Sequence, residues 1–196
     1  MELNKSLSFK IYDLICEFKT LHNVDVKKEY VDGLREQSEI MENIPADVSI
    51  SKQQKYIQEI LLSEGDTICG LFINNKLVGT AGIQSFVNFL QYVDVLADSI
   101  AGIGIFIFNK NYRSMGLGKT LVWSSAHLFH NCTQSKWFGA GMAKENVASL
   151  KSFLACGFAQ VYEDEESCRV LLNYSELIKP KFISEISIHE IGHPVK

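Results

Sequence analysis

Ten residues constrain this chain more than any others: Tyr112-Arg113-Ser114-Met115-Gly116-Leu117-Gly118-Lys119-Thr120-Leu121. An apolar, strand-like run, Ile100 to Phe108, leads into them, and a helix-like run, Leu117 to Asn131, leads out. A strand that turns through glycines into a helix start is suited to hold phosphate. The turn aims several backbone N–H groups at one spot, and the helix N-terminus adds roughly half a positive charge. Gly116 and Gly118 have no Cβ, so an anion can approach the main chain closely. Arg113 and Lys119 add side-chain charge.

Three phosphate loops can be tested against this spacing. A P-loop reads G-x-x-x-x-G-K-[ST], and Gly118-Lys119-Thr120 supplies its end. Its first glycine, which makes the sharp turn out of the strand, falls on Arg113, and no apolar strand ending in Asp follows to hold magnesium. A dinucleotide loop reads G-x-G-x-x-G/A. Gly116 and Gly118 need it completed at Leu121, and Gly102 and Gly104 at Ile107, so both fail. The third pattern, Arg/Gln-x-x-Gly-x-Gly/Ala, is met in full from Arg113 to Gly118. A second motif follows a strand-like run, Lys136 to Ala143. It runs from Asn146 through Ser149 and Phe153 to Gly157-Phe158.

With these two motifs in this order, the chain resembles the GNAT-type N-acetyltransferase superfamily. The resemblance covers residues 14 to 173 and is clearest from 100 to 160. It implies an α/β (α+β) fold: a mixed, mostly antiparallel sheet flanked by helices, with the fourth and fifth strands splayed apart. The implied co-substrate is acetyl-CoA, with no metal, and its pantetheine arm lies in the gap like an extra strand. On that analogy Ile105, Phe106 and Ile107 pair with the arm. Arg113, Ser114, Met115, Gly116, Leu117, Gly118, Lys119 and Thr120 hold the pyrophosphate, and Asn146, Ser149 and Phe153 meet the cofactor from the second motif. Gly139 and Gly141 on the fifth strand leave room for close approach.

The implied chemistry is direct transfer of an acetyl group to a primary amine in a ternary complex. A thioester is already activated, so the protein must hold an unprotonated amine near the carbonyl, polarise that carbonyl and see the thiolate protonated. The backbone N–H of Ile105 or Phe106 is placed to polarise the carbonyl. Family members often protonate the thiolate with a tyrosine in the second motif, but here that position holds Phe153. Tyr112, Tyr162, Cys156 or a water are the substitutes. The fourth strand carries no Glu or Asp, which leaves Asp94, Asp98 and His22 as candidate bases. Thr20-Leu21 to Leu34, followed by Gln53, Tyr56 and Ile57, is similar to acetyltransferases that act on amino sugars. Two other readings stand beside this one: an acyl-CoA-binding protein without turnover, and a P-loop-like phosphotransferase using Gly118-Lys119-Thr120.

Composition bounds the rest. A chain of 196 residues is long enough for one well-buried domain, and 46% hydrophobic with 21% charged content is ordinary for a globular protein. The expectation is therefore a single domain over 1–196, with 178–196 as a C-terminal tail. A net charge of −4 offers no basic face for nucleic acid. No apolar run approaches the ~20 residues of a membrane helix, and no hydrophobic leader opens the chain. Five scattered cysteines without a C-x-x-C pair read as reduced thiols of a cytoplasmic protein. The expected partner is a small-molecule or peptide amine, with a homodimer by family analogy.

Periodicity predicts alternating strands and helices. Leu14–Thr20 reads as the first strand, Lys27–Gln37 as a helix broken at Ile44-Pro45-Ala46-Asp47, and Ser51 as the N-cap of a second helix. Thr67–Ile73 and Leu77–Ile83 read as a hairpin around Asn74-Asn75-Lys76. Ser85 to Ser99 carries no clear period. Ala159–Tyr162 and Arg169–Asn173 read as strands flanking the acidic turn Glu163-Asp164-Glu165-Glu166, and the tail from Ile178 as an extra strand or an arm. His189-Glu190-Ile191-Gly192-His193 matches the zinc-protease signature in letters, but Gly192 and Pro194 oppose the helix it needs. His127 and His130 are spaced to share a metal, with no further ligand in view.

Overall fold

The computed structural model describes residues 1–38, 48–85, 100–109, 112 and 115–191. Among them, runs rich in β-branched and aromatic residues form nine strands. These are β1 (Lys5–Ile11), β2 (Leu14–Thr20), β3 (Thr67–Ile73), β4 (Lys76–Ser85), β5 (Ala101–Ile107), β6 (Trp137–Ala143), β7 (Ala159–Glu163), β8 (Ser167–Asn173) and β9 (Ile183–Glu190). Four α-helices accompany them: α1 (Lys28–Ser38), α2 (Ile50–Leu62), α3 (Leu117–Thr133) and α4 (Val147–Leu154). The strands make one sheet in the order β7-β8-β6-β5-β4-β3-β2-β1-β9. Its neighbours are antiparallel except β5 and β6, which run parallel.

Turn chemistry closes the hairpins. Asn74 and Asn75 join β3 to β4 with φ of 48° and 63°, the left-handed pair that a two-residue hairpin demands and that asparagine tolerates. Helices cover the middle of the sheet on both faces. Cys69, Leu71 and Ile73 of β3 pack with Leu117, Leu121 and Val122 of α3. The alternate residues Ile68 and Phe72 pack with Tyr30, Val31 and Leu34 of α1 and Ile57 of α2. Period-two alternation sends successive side chains to opposite layers, so every residue of β3 is buried.

The sheet is larger than the sequence pattern predicts. Lys5–Ile11 adds a strand before the expected first one, turning at Tyr12 with φ 52°. The tail adds β9, which pairs with β1. The strands expected as fourth and fifth are therefore β5 and β6. Helix α2 is capped by Ser49, not Ser51. Ser49 is extended (φ −130°, ψ 160°) and its side chain accepts from the Lys52 N–H at 3.3 Å, whereas Ser51 already lies inside the helix. The expected break at 44–47 and the stretch 86–99 fall outside the described residues.

Leu121 is fully buried between α3 and the sheet. Leu121→Ala is expected to cost about 3 kcal/mol. By calorimetry this should lower Tm by about 6–12 °C.

Candidate active site

β5 and β6 touch only at their first residues, Ala101 with Phe138 and Gly102 with Gly139. On its other side β5 is locked to β4 from Ala101–Ser85 to Ile107–Gly79, and β6 is locked to β8 from Trp137–Asn173 to Ala143–Ser167. The two strands therefore diverge, leaving a wedge between 103–107 and 140–143. Backbone groups that face the wedge have no strand partner. A buried amide without a hydrogen bond is costly, so the wedge is fitted to an extended ligand that carries amides. Ile105, Phe106 and Ile107 flank it and are half-buried.

The first turn of α3 sits beside this wedge. Gly116 caps the helix with φ 79°, a left-handed conformation. The Thr120 N–H donates to the Gly116 carbonyl at 3.0 Å, so the N–H groups of Leu117, Gly118 and Lys119 precede the helical ladder and project from its end. A Cβ on Gly118 would stand 2.5 Å from Ser152 Oγ and 3.9 Å from Ile105 Cδ1, which wedges this turn between α4 and β5. A Cβ on Gly116 would stand 2.5 Å from Phe182 Cζ. Phe182 lies just before β9 and stacks on Tyr12, with ring centroids 5.7 Å apart. The tail thus braces the anion turn, a contact that no local motif announces.

The expected loop residues do not all remain available. Leu117 and Met115 pack on the core, and Leu117 can offer only its N–H. Thr120 drops out as a ligand: it is fully buried, and its hydroxyl donates to the Gly116 carbonyl at 3.2 Å. Its enclosure, not that bond, withholds the hydroxyl oxygen that a P-loop would give to magnesium. Lys119 is half-buried at the turn, and Arg113 and Ser114 lie outside the described residues.

The second motif opens α4. Asn146 Oδ1 accepts from the Ser149 N–H at 3.1 Å, so it caps the helix while its amide nitrogen stays available to a ligand. Phe153 does not reach the wedge. It is 1% exposed and packs edge-on against Phe158, because the helix turns this face into the core. Cys156 is also interior. Its thiol donates to the Lys119 carbonyl at 3.4 Å, and burial pushes its pKa up to about 12, so it is no proton source. Tyr112 sits past the C-terminal end of β5, half-buried on the core, away from Gly102–Gly104 where the strands part. Tyr162 donates its hydroxyl to Asp164 Oδ2 at 3.1 Å on the outer hairpin.

A cavity of about 400 Å³ opens where β5 and β6 part. Gly102, Ile103 and Gly104 line it from β5, and Ala140 and Gly141 from β6. It extends over Gly82 and Gln84 of β4 to Asp66, Ile68, and Tyr56 and Ile60 of α2. Gly82 pairs directly with Gly104, and an added Cβ would meet nothing within 4 Å at either. Gly141 differs: a Cβ there would stand 2.8 Å from Arg169 Nη1, so its bareness accommodates this chain's own guanidinium and is not simply room for a cofactor. Burial, and then the Asp66 carboxylate, hold the Tyr56 phenol above its ordinary pKa. Asp66 belongs to no motif in the sequence; the fold brings it to the cavity.

The candidate bases are not brought there. His22 contacts Glu2 at 3.3 Å near the start of α1 and does not line the cavity, and Asp94 and Asp98 lie outside the described residues. His127 and His130 are held structurally. Their Nδ1 atoms meet the Tyr174 hydroxyl at 2.8 Å and the Ser135 carbonyl at 2.7 Å, and the His130 ring stacks on Tyr174. His189 and Glu190 end a β-strand, not the helix a zinc signature needs; His193 lies outside the described residues. The acidic run is a hairpin turn in which Asp164 Oδ1 accepts from the N–H groups of Glu166 and Ser167.

The sequence profile of the acetyltransferase (GNAT) family matches residues 34–158. No curated protein matches the chain by sequence. Solved structures share the fold. An uncharacterized protein from Bacillus halodurans superposes with a TM-score of 0.72 at 15% identity, covering 90% of this chain and 93% of that one. RimJ of Mycobacterium smegmatis, in complex with CoA-disulfide, gives 0.68 at 13% identity over 91% and 93%. The yncA protein of Salmonella typhimurium, with acetyl-CoA, gives 0.60 at 17% identity over 85% and 98%.

Two substitutions test this geometry. Gly116→Ala must hold a left-handed φ and displace Phe182; it is expected to cost about 1–2 kcal/mol in thermal unfolding and to weaken acetyl-CoA binding in calorimetric titration. Phe153→Tyr restores the family's usual residue but buries a hydroxyl in an apolar site. It is expected to lower stability by about 1–3 kcal/mol and to leave kcat no higher.

Proposed function

The chain belongs to the GNAT acetyltransferase family, and we propose that it transfers the acetyl group of acetyl-CoA to a primary amine, directly and within a ternary complex. The observation that carries this reading is the parting of β5 and β6 beside the first turn of α3, whose glycine cap brings no side chain to its N–H groups. The wedge offers unpaired backbone to the amides of a pantetheine arm, and the N–H groups of 117–119 offer a pyrophosphate site. Ile105, Phe106 and Ile107 take the arm, Arg113 to Lys119 the pyrophosphate, and Asn146 and Ser149 the adjoining part of the cofactor.

In the reaction the amine lone pair attacks the thioester carbonyl, whose oxygen is polarised by the N–H of Ile105 or Phe106 on β5. The C–S bond then breaks, and the amine's proton passes to water as the thiolate takes one up. A thiolate of reference pKa near ~8.5 is a competent leaving group, so a dedicated acid is not required. Positioning supplies much of the rate, up to roughly 7–11 kcal/mol in favourable cases. The cavity admits a small-molecule acceptor, with amino sugars the first class to screen. A cytoplasmic homodimer completes the proposal; no described helix is long and apolar enough to cross a membrane.

A non-catalytic acyl-CoA-binding role is the second reading, favoured by the enclosure of Phe153 in the core. Thermal unfolding separates the possibilities. Acetyl-CoA at ~100 times its Kd should stabilise the protein by about 2.7 kcal/mol, a Tm shift of about 5–10 °C, and Mg-ATP should give none. A shift with Mg-ATP alone, or with neither, would sink the proposal. A shift with acetyl-CoA but no transfer to any amine would leave the binding protein.

A further inference from the structure

The acid that lines the cavity is in the wrong place to be its base. Asp66 lies at the start of β3, whereas acetyl transfer takes place in the gap beyond β5. β3, β4 and β5 are consecutive in the sheet, and neighbouring strands stand about 4.8 Å apart. The gap is therefore roughly 12 Å from the Asp66 main chain, and about 10 Å from its carboxylate. A general base must come within about 3 Å of the proton it takes, or act through one water. Asp66 can do neither, but it can meet the far end of an acceptor whose near end lies in the gap.

The surface between the two points is consistent with such a bridge. Gly82 and Gly104 sit opposite each other on β4 and β5, with open space where each Cβ would be. Neither has a positive φ, so neither the backbone nor local packing requires glycine there. Glycine inside a strand is destabilising, and it marks places where a ligand approaches the main chain. Ile60 and Ile68 add hydrocarbon beside this floor, and Tyr56 brings a hydroxyl next to Asp66. The Met1 ammonium is the other charge near Asp66. Burial lowers its pKa and Asp66 opposes that shift; its hydrogen bonds run to the carbonyls of Ile60 and Ser63 at 2.8 and 2.9 Å and to the main-chain carbonyl of Asp66, so the ammonium is held by backbone oxygens and none of these bonds uses the Asp66 carboxylate.

Resting on the transferase reading, we propose that the acceptor carries a second positive group about 7–10 Å from the amine that is acetylated, and that Asp66 is the residue that selects it. The carboxylate and the Tyr56 hydroxyl hold the distal ammonium, the glycine floor takes the connecting chain, and the near amine enters the gap uncharged. Diamines and polyamines fit this description, and an amino sugar fits it only if it bears another amine.

Steady-state acetylation of diaminohexane and of hexylamine, by wild type and by Asp66→Asn, tests the assignment. The asparagine keeps the shape of the turn residue and removes only its charge. Wild type is expected to favour the diamine in kcat/KM by roughly tenfold to a hundredfold, mainly through KM. Asp66→Asn should bring the ratio of the two substrates to about one. Parity in wild type, or an unchanged ratio in Asp66→Asn, overturns this inference and leaves the transferase reading standing. Absence of transfer to both amines overturns this inference, and the transferase reading falls with it only if the wider amine screen also shows no transfer while the acetyl-CoA thermal shift is intact.

Discussion

The structure depends on a pairing that stops. β5 and β6 share two residue pairs and then separate, although each is fully bonded on its other edge. Parallel neighbours would ordinarily continue the ladder. Here β4 and β8 hold the two strands on diverging courses, and the cost is a row of main-chain groups without protein partners. In the proposed complex a cofactor arm that brings its own amides would restore those hydrogen bonds, and the wedge would be an incomplete sheet that its ligand finishes.

The surrounding elements keep the wedge open and aim it. α3 buries Leu117, Leu121 and Val122 against the sheet, which fixes the first turn of the helix beside β5. The turn after α4 adds the Cys156 thiol, which donates to the Lys119 carbonyl, and Ser152 of α4 lies against Gly118. The tail adds Phe182 beneath Gly116. Two segments distant in sequence, one around α4 and the other the tail, therefore meet at the first turn of α3, each against one of its glycines. The turn is held in place by what surrounds it.

The cavity on the other side of the wedge is built by different logic. Among the described residues it is lined by α2, Asp66 and residues of β3, β4, β5 and β6, with little side-chain bulk along the floor and Asp66 as the charged side chain. A thioester needs mainly alignment, so in the proposed reaction backbone amides and shape would suffice. That division also explains why Phe153 can occupy the family's usual tyrosine position: turned into the core with Phe158, it serves packing.

Much of this was legible in the sequence, and the boundary follows the range of the forces. Local chemistry made the Asn74–Asn75 hairpin, the glycine turn at 116–118 and most strands legible, because turn geometry and periodicity act within a few residues. The two motifs that mark the family were legible for the same reason. Ser51 reads as a cap in the sequence because two serines lie close together and only the backbone distinguishes them. The strand at 5–11 does not declare itself in the sequence, and the choice between an extra strand and an arm for the tail is made by their pairing across the chain. The burial of Thr120 and Phe153, the brace of Phe182, the Arg169 guanidinium over Gly141 and the placement of Asp66 were decided only by tertiary structure. Sequence determines which atoms a residue brings and which way its own turn bends. Which residues from distant segments share a cavity, and which of their polar atoms are already spoken for, depends on contacts that exist only once the sheet is assembled.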